Sequence, residues 1–323
     1  MSNSFHNSML IKIGSISHRV DGTFLAEITE NAAIDLWLAD FSIPNIGLSK
    51  ISRLELTAHY WQILSETEQE RAALMGAQRQ QQFILTRGIL RELLSSYIGI
   101  APQYLKLATS PKGKPYLDYA EPQYQIPFNV SHAENLALYA VMPPNFGPGR
   151  ENLGAVGIDL ELLNRDLPVE KITKLVKRYF LPQEQKIWFR YLADPNLEPY
   201  LEPHLAKVCF LRAWTAKEAY AKATGLGLAH TLTHLDTSPW LTLTAIPFQQ
   251  VPSQRSQNIC ITDLELRDLE ITVLNQSDNI HDNSACEVQS YKVRDLSVLL
   301  SESEVPCVGA VCWQQFNRNQ LPH

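Results

Sequence analysis

The clearest alternation of apolar and polar residues covers positions 154–161, where every second side chain is hydrophobic. A period of two is typical of a β-strand and separates the side chains onto two faces. One face carries Val156, Ile158 and Leu160, and the other carries Gly157, Asp159 and Glu161. We therefore predict a strand from which both carboxylates project on the same side, about 6.5 Å apart along the backbone. Gly157 has no side chain beside them, which would leave room for a bulky ligand.

A helical pattern covers residues 210–225, a segment rich in alanine, free of proline and closed by a glycine. Alanine favours helices, and glycine is typical of the position just after their last turn. Spacings of three and four residues place Glu218 and Lys222 on the face that also carries Trp214. We interpret Trp214 as a core anchor of this helix rather than a substrate-stacking group.

Other segments predict further helices and strands along the chain. Helices are predicted at residues 65–75, where Ser65 and Glu68 form a capping-box pattern, and at 78–97 and 169–178. Strands are predicted at residues 34–41, 106–109, 128–131, 136–142, 240–245, 259–273 and 305–314. Proline-rich or polar segments at 194–206, 249–258 and 276–285 predict exposed loops.

A run of prolines and glycines at residues 143–149 is the clearest linker in the chain. We place a domain boundary there, with an N-terminal half at 1–150 and a C-terminal half at 151–323. Each half combines helices with strands, which predicts an α+β fold built from two similar halves.

Composition sets broad limits on the function. The chain has 323 residues, of which 45% are hydrophobic, and no apolar run reaches the length of about 18 residues that a membrane span requires. Its five cysteines are scattered, and the first 19 residues lack a signal-peptide pattern, so we expect a cytoplasmic protein. A net charge of −6 argues against general nucleic-acid binding but leaves room for a local basic pocket.

Two kinds of interpretation remain open for the charged residues. The carboxylates of Asp159 and Glu161 repel each other unless a cation lies between them, and oxygen-only ligands suit Mg²⁺. Alternatively, they are solvated acids at the end of a sheet. Glu218 and Lys222 are either aimed at the same site or form an exposed helix ion pair worth about 0.2–0.5 kcal/mol.

Four short motifs in succession favour the first interpretation. They read Gly-Lys-Pro at 113–115, Phe-Asn-x-Ser-His at 128–132, Val-Gly-Ile-Asp-x-Glu at 156–161 and Trp-x-x-Lys-Glu-Ala-x-x-Lys-x-x-Gly at 214–225. In order and approximate spacing they resemble the long, two-half 4'-phosphopantetheinyl transferases that activate surfactin synthetase and similar systems. The similarity extends upstream to residues 64–72 and to the helix that carries Arg79, Arg87 and Arg91, and covers roughly residues 34–235.

This resemblance implies a reaction, a metal and a partner. The family transfers the phosphopantetheine arm of coenzyme A to a serine of an acyl, peptidyl or polyketide carrier protein and releases adenosine 3',5'-bisphosphate, as a holo-[acyl-carrier-protein] synthase. It implies a monomer whose halves are related by a pseudo-twofold axis, with the active site in the cleft between them. The insertion at 194–206 departs from the short link usual in the family, so it would affect carrier docking more than the metal site.

The resemblance also assigns roles to individual residues. Asp159, Glu161 and Glu218 would hold Mg²⁺ against the pyrophosphate of coenzyme A, and Glu218 or a metal-bound water would accept the serine proton. Lys222 would contact the pyrophosphate and the leaving group. Lys217, one position before Glu218, points away on helical spacing and is a weaker candidate.

The remaining candidates would contact the nucleotide end of coenzyme A. His132 and Ser131 would bond a phosphate, Lys114 would face the nucleotide, and Arg87 and Arg91 would hold the 3'-phosphate. The alternative for the arginines is a solvated helix face, and for His132 a structural hydrogen bond.

Two other functions are compatible with parts of this pattern. Another Mg²⁺-dependent phosphoryl enzyme would use the same carboxylates but would release free phosphate. A noncatalytic module that binds carrier proteins or coenzyme A would be expected to lack at least one of the carboxylates, and none is missing here. Resemblance of fold alone does not establish activity.

Overall fold

Two groups of helices and strands make up the chain, Met1–Leu153 and Gly154–His323. They separate close to the boundary that the linker at 143–149 predicts. The structure is a computed structural model and describes residues 11–15, 17–18, 24–25, 34–41, 53–143, 155–193, 202–228, 235–241, 268–269, 290–298 and 307–315. Within these ranges the protein is a mixed helix-and-sheet, α+β fold. The pseudo-twofold relation between the halves stays a prediction.

In its described residues, the first unit has a four-stranded main sheet with helices against it and two separate two-stranded sheets. Its strands are β1 (Ile11–Ser15), β2 (Ser17–His18), β3 (Phe24–Leu25), β4 (Ile34–Asp40), β5 (Leu107–Thr109), β6 (Pro115–Leu117), β7 (Phe128–Ala133) and β8 (Leu136–Val141). Its helices are α1 (Arg53–Ile63), α2 (Glu66–Ala73) and α3 (Ala77–Ile98). The main sheet has the order β1-β4-β8-β7, with β1 parallel to β4 and the other neighbours antiparallel. Helix α3 supplies much of the core that covers this sheet.

The second unit is an antiparallel sheet of order β10-β11-β12-β9. Its strands are β9 (Val156–Leu162), β10 (Asp268–Leu269), β11 (Ser290–Val298) and β12 (Cys307–Gln315). Its helices are α4 (Val169–Tyr179), α5 (Pro182–Ala193), α6 (Glu202–Thr224) and α7 (Ser238–Leu241). The core lies between α6 and the face of the sheet formed by β9 and β12.

Most predicted elements are confirmed because their signals are local. The capping box of α2 is present: the Ser65 hydroxyl accepts the backbone N–H of Glu68 at 3.3 Å, and the Glu68 carboxylate accepts the N–H of Ser65 at 3.0 Å. The strand at 34–41 and the helices at 78–97 and 169–178 also lie within about a residue of their predicted bounds.

Some predictions are wrong. Trp240 and Leu241, predicted to begin a strand, lie in the short helix α7. The segment 194–206 is not wholly a loop, since α6 already begins at Glu202. Helices α1 and α5 and strand β11 were not predicted. The predicted loops at 249–258 and 276–285 lie outside the described residues.

One finding concerns membranes. Among the residues for which the structure gives a conformation, no helix is both long and apolar enough to cross a bilayer.

Gly157 is where helix α6 comes closest to strand β9. A Cβ atom on this residue would lie 2.1 Å from the carbonyl oxygen of Ala219 and 2.3 Å from the backbone nitrogen of Ala223. The space beside the carboxylates is therefore filled by the backbone of α6, and the prediction that Gly157 leaves room for a ligand is wrong. Its missing side chain instead allows α6 to pack directly on the strand.

We expect Gly157→Ala to destabilise the second unit by about 3 kcal/mol or more, because backbone atoms cannot yield as a flexible side chain would. Denaturant unfolding of the purified variant measures this loss. Gly76→Ala is the matched control, because its Cβ would meet nothing within 4 Å and its φ of −63° suits alanine. Equal stability of the two variants would contradict the packing explanation.

Candidate active site

Three carboxylates and a lysine meet where α6 crosses β9. Asp159 and Glu161 lie on the face of β9 that α6 covers, and Glu218 and Lys222 lie one turn apart on α6. The Lys222 ammonium donates to Oδ1 of Asp159 at 2.6 Å and to the carbonyl oxygen of Ile158 at 3.1 Å. The predicted grouping of these four residues is thus present within the second unit.

The carboxylates of this cluster influence one another. Burial, followed by repulsion from Asp159 and Glu161, raises the pKa of the Glu218 carboxyl from its ordinary 4.5 to about 7, and the nearby Lys222 ammonium only partly opposes this. Burial also raises the pKa of Glu161, against the opposing effect of Arg165. The cluster therefore holds more negative charge than its own lysine neutralises.

Arg165 is a member of this cluster that the motifs did not indicate. Its Nη1 lies 2.7 Å from each carboxylate oxygen of Glu161. In a helix, ion pairs commonly form between residues four positions apart. Here the four positions instead span the end of β9 and a turn, in which the N–H of Arg165 donates to the carbonyl oxygen of Leu162 at 3.4 Å. The turn brings the two side chains together, so spacing along the chain gave no reason to expect the pair.

The donor set suits a hard divalent cation. In the described part of the chain, no three His, Cys, Asp or Glu side chains are already arranged around a cation position. Instead, Lys222 bonds one oxygen of Asp159, and Arg165 bonds both oxygens of Glu161, all of which a metal could use. Asp159, Glu161 and Glu218 nevertheless offer only oxygen ligands, and their mutual repulsion would be relieved by Mg²⁺. The residues fit the ion once the two basic side chains move aside.

The lysine before Glu218 has a structural role. Lys217 and Glu184 are both 0% exposed, with Nζ and Oε1 3.0 Å apart. Lys217 also donates to the carbonyl oxygen of Leu235 at 2.7 Å and lies 5.0 Å from the centre of the Phe180 ring. The prediction that Lys217 points away from the carboxylate cluster agrees with this buried position.

Glu184 is the centre of the same buried network. Its carboxylate accepts the backbone N–H groups of Leu181 and Thr237, each at 2.6 Å, and the Thr237 hydroxyl. The network thereby ties α5, α6 and the start of α7 together around the helix that carries Glu218.

Trp214 packs as a core residue. Its ring stacks on Phe210 at a centroid distance of 5.8 Å and an angle of 24°, and lies 5.9 Å from the ring of Tyr179. These contacts join α4 to α6 and support its interpretation as an anchor of the helix.

In the first unit, three of the predicted nucleotide contacts lie on two hairpins. Ser131 is buried and His132 is exposed on β7, and as neighbours in a strand they lie on opposite faces. They would therefore contact different parts of a ligand. Lys114 lies in the β5–β6 hairpin, where its backbone N–H and carbonyl bond Ser110 and where Gly113 adopts a φ of +88°.

The arginines of α3 differ from one another. Arg91 is 1% exposed, and its guanidinium donates to Glu68 at 2.7 Å and to the carbonyl oxygens of Pro102 and Leu105 at 2.7 and 3.2 Å. This geometry does not support a phosphate contact, because a guanidinium committed to buried acceptors has no surface for a ligand. We therefore leave Arg91 out of the ligand-binding set.

Arg87 retains more capacity to bind an anion. Its Nε lies 3.3 Å from the second oxygen of Glu68, and its guanidinium lies 5.8 Å from the centre of the Phe83 ring. Burial lowers its pKa, and the neighbouring Arg91 and Arg71 add to this, while Glu68 opposes it. Two arginines thus share the Glu68 carboxylate, with Arg71 close enough to act on Arg87, and this excess of positive charge favours an anion. Arg79, nearer the start of α3, is exposed.

Comparison with known protein families gives two matches. Residues 155–284 match the 4'-phosphopantetheinyl transferase superfamily, and residues 53–143 match the N-terminal region of 4'-phosphopantetheinyl transferases. Together the two matches cover well over half of the chain, and each falls within one structural unit.

Curated relatives carry the same family name. The chain is 38% identical over 152 residues to the 4'-phosphopantetheinyl transferase HetI of Nostoc sp., covering 47% of this chain and 55% of that protein. A relative from Synechocystis sp. is 34% identical over 188 residues, covering 58% and 66%. The human L-aminoadipate-semialdehyde dehydrogenase-phosphopantetheinyl transferase is 27% identical over 161 residues, covering 47% and 46%. The chain thus spans between about half and two thirds of the length of these relatives.

Proposed function

Because the chain belongs to the 4'-phosphopantetheinyl transferase superfamily, we propose that it transfers the 4'-phosphopantetheine group of coenzyme A to a serine of a carrier protein. The product released is adenosine 3',5'-bisphosphate. The observation that carries this proposal is the grouping of Asp159, Glu161, Glu218 and Lys222 at the crossing of α6 and β9. The proposed partner is an acyl, peptidyl or polyketide carrier protein, and cytoplasmic location and a monomeric state stay predictions.

We assign Asp159, Glu161 and Glu218 as ligands of Mg²⁺. When bound, the ion would neutralise charge that develops on the leaving phosphate. Glu218 accepts the proton of the carrier serine while the serine oxygen attacks the phosphorus that bears the pantetheine arm. The bond from that phosphorus to adenosine 3',5'-bisphosphate then breaks. In the metal-free protein, burial and the neighbouring carboxylates raise the pKa of this group, which makes it a stronger base than an ordinary glutamate.

Lys222 contributes positive charge beside the same carboxylates. Its ammonium already lies against Asp159, so a pyrophosphate next to that carboxylate comes within its reach. There it stabilises the charge of the departing adenosine bisphosphate, and its long side chain is only partly covered.

In the first unit, we propose Arg87, Lys114, Ser131 and His132 as contacts of coenzyme A. Support for Arg87 comes from the local excess of arginine over carboxylate around Glu68. Support for His132 comes from its exposed position on β7, and Ser131 and Lys114 follow from their motifs.

Mass spectrometry of an apo carrier protein tests the proposal directly. The carrier is incubated with the purified protein, coenzyme A and Mg²⁺, with EDTA and Asp159→Ala as controls. A metal-dependent gain of one phosphopantetheine on the carrier serine is the expected result. Coenzyme A binding without transfer to any of several carriers would favour a noncatalytic module, and release of free phosphate would favour another phosphoryl enzyme.

Metal binding should depend on pH. Since Mg²⁺ requires Glu218 as a carboxylate, the apparent affinity without coenzyme A should fall about tenfold per pH unit below pH 7 and level off above pH 8. The folded pKa exceeds the unfolded value, so metal-free stability should decrease as the pH rises from about 4.5 to about 7. Mg²⁺ should offset this decrease at the upper end.

Calorimetric titration of Mg²⁺ between pH 6 and pH 8, in buffers of different ionisation enthalpy, measures both the affinity and the proton released. Glu218→Gln should release no such proton. An affinity that stays constant across this range would show that Glu218 is not a ligand that must lose a proton.

A further inference from the structure

Arg165 is held over Glu161 by two independent contacts of its backbone. Its N–H donates to Leu162 in the turn after β9, and its carbonyl oxygen accepts the ammonium of Lys207 on α6. Lys207 precedes Glu218 on the same helix by eleven positions, which is close to three turns. The strand and the helix that carry the carboxylates therefore also position the arginine.

The guanidinium is more accessible than the carboxylate it covers. The Arg165 side chain is 45% exposed, whereas that of Glu161 is 16% exposed. A partly solvated arginine pair of this kind is weak, with a typical contribution of at most about 1 kcal/mol, so the side chain can leave its carboxylate at little cost. Its backbone anchors would keep it beside the cluster when it does.

Charge complementarity indicates where the guanidinium goes. If all three carboxylates are ionised, they face two basic side chains, Lys222 and Arg165, so the cluster keeps an excess of one negative charge before any ligand binds. A divalent cation held by Glu161 would leave no place for Arg165 on that carboxylate, and the pyrophosphate of coenzyme A would bring a new anion within reach of its guanidinium. Guanidinium binds phosphate oxygens in the forked geometry that it uses for carboxylates.

We propose that Arg165 is a substrate-binding residue that exchanges Glu161 for the pyrophosphate of coenzyme A when the metal binds. This inference rests on the proposed function, because it uses the same metal and the same substrate. Arg165 then competes with the metal when coenzyme A is absent and holds coenzyme A when both are present. The two ligands bind cooperatively as a consequence.

The experiment compares the wild-type protein with Arg165→Gln in binding titrations that need no turnover. Mn²⁺ serves as the metal probe, followed by electron paramagnetic resonance, and coenzyme A is titrated by calorimetry with and without Mn²⁺. Arg190→Gln, an exposed arginine on α5, is the matched control. Arg165→Lys tests whether charge alone is sufficient.

The expected pattern has two opposite parts. Arg165→Gln should bind Mn²⁺ about threefold to tenfold more tightly without coenzyme A, because a competing cation is gone. With Mn²⁺ present, it should bind coenzyme A about tenfold more weakly, the size expected for one charged hydrogen bond. Arg165→Lys should lie between the wild type and Arg165→Gln in both measurements.

Other outcomes separate the two proposals. If the wild type binds Mn²⁺ and coenzyme A but Arg165→Gln behaves like Arg190→Gln, or shows only one of the two shifts, the role of Arg165 is wrong and the proposed function stands. If the wild type binds neither ligand, the proposed function itself fails.

Discussion

Glu218→Gln is expected to lower the rate of carrier modification by several hundredfold or more while coenzyme A binding remains measurable. The amide keeps the size of the side chain but is a poorer metal ligand and cannot accept the serine proton. Loss of a positioned general base alone typically costs about 10²–10⁴ in rate. Single-turnover transfer to an apo carrier, followed by mass spectrometry, measures the effect.

The stability of the Glu218→Gln variant should not fall with its activity. The pKa of the Glu218 carboxyl is raised by burial and by its acidic neighbours, so above pH 7, where the group is ionised, its charge destabilises the folded, metal-free protein. Removing that charge should leave the melting temperature at pH 8 unchanged or higher. Loss of activity together with retained stability separates a chemical role from a structural one.

Glu170→Gln is the matched control, because Glu170 is an exposed glutamate in the first turn of α4 in the same unit. It should transfer at the wild-type rate. Turnover of Glu218→Gln at the rate of this control would refute the role of Glu218.

Lys217→Met should destabilise the second unit by about 3–5 kcal/mol, which is the typical cost of removing one partner of a buried ion pair. Methionine has a similar length but leaves the Glu184 carboxylate buried without its cation. The loss should extend to α5 and α7, because Glu184 also accepts backbone N–H groups from Leu181 and Thr237. Denaturant unfolding measures the change in the free energy of unfolding.

A double variant distinguishes a coupled pair from two separate contributions. Lys217→Met combined with Glu184→Gln removes both charges, but the amide keeps an oxygen for only one of the two backbone N–H groups, which bond different oxygens of Glu184. The double variant should therefore recover part of the lost stability. Lys171→Met, at an exposed position of α4, controls for replacing a lysine and should change stability by less than about 0.5 kcal/mol. Purely additive losses in the double variant would contradict the coupled pair.

The sequence predicted the site best where one periodic element carries the chemistry. Alternation along residues 154–161 placed Asp159 and Glu161 on one face of β9, and helical spacing placed Glu218 and Lys222 together on α6. The contact between Lys222 and Asp159 agrees with both patterns. Local periodicity was sufficient because each pattern depends only on the backbone geometry of its own element.

Charged residues of the same type were harder to distinguish. Arg87 and Arg91 are one turn apart on α3, and both were expected to bind phosphate, yet Arg91 is buried against Glu68 and two carbonyl groups. Those acceptors lie on other elements, so the spacing on α3 could not reveal them. Arg165 was missed for a related reason, because its contact with Glu161 depends on a turn and on Lys207.

By itself, the sequence determined the α+β class, most helices and strands, and the faces on which the principal carboxylates lie. The tertiary structure decided which charged side chains are buried, as for Lys217 with Glu184, and why residue 157 must be glycine. The physical reason is that periodicity arises between neighbours along the chain. Burial, ion pairing and close backbone approach arise between residues that are distant along it and meet only after α6 has packed on the sheet.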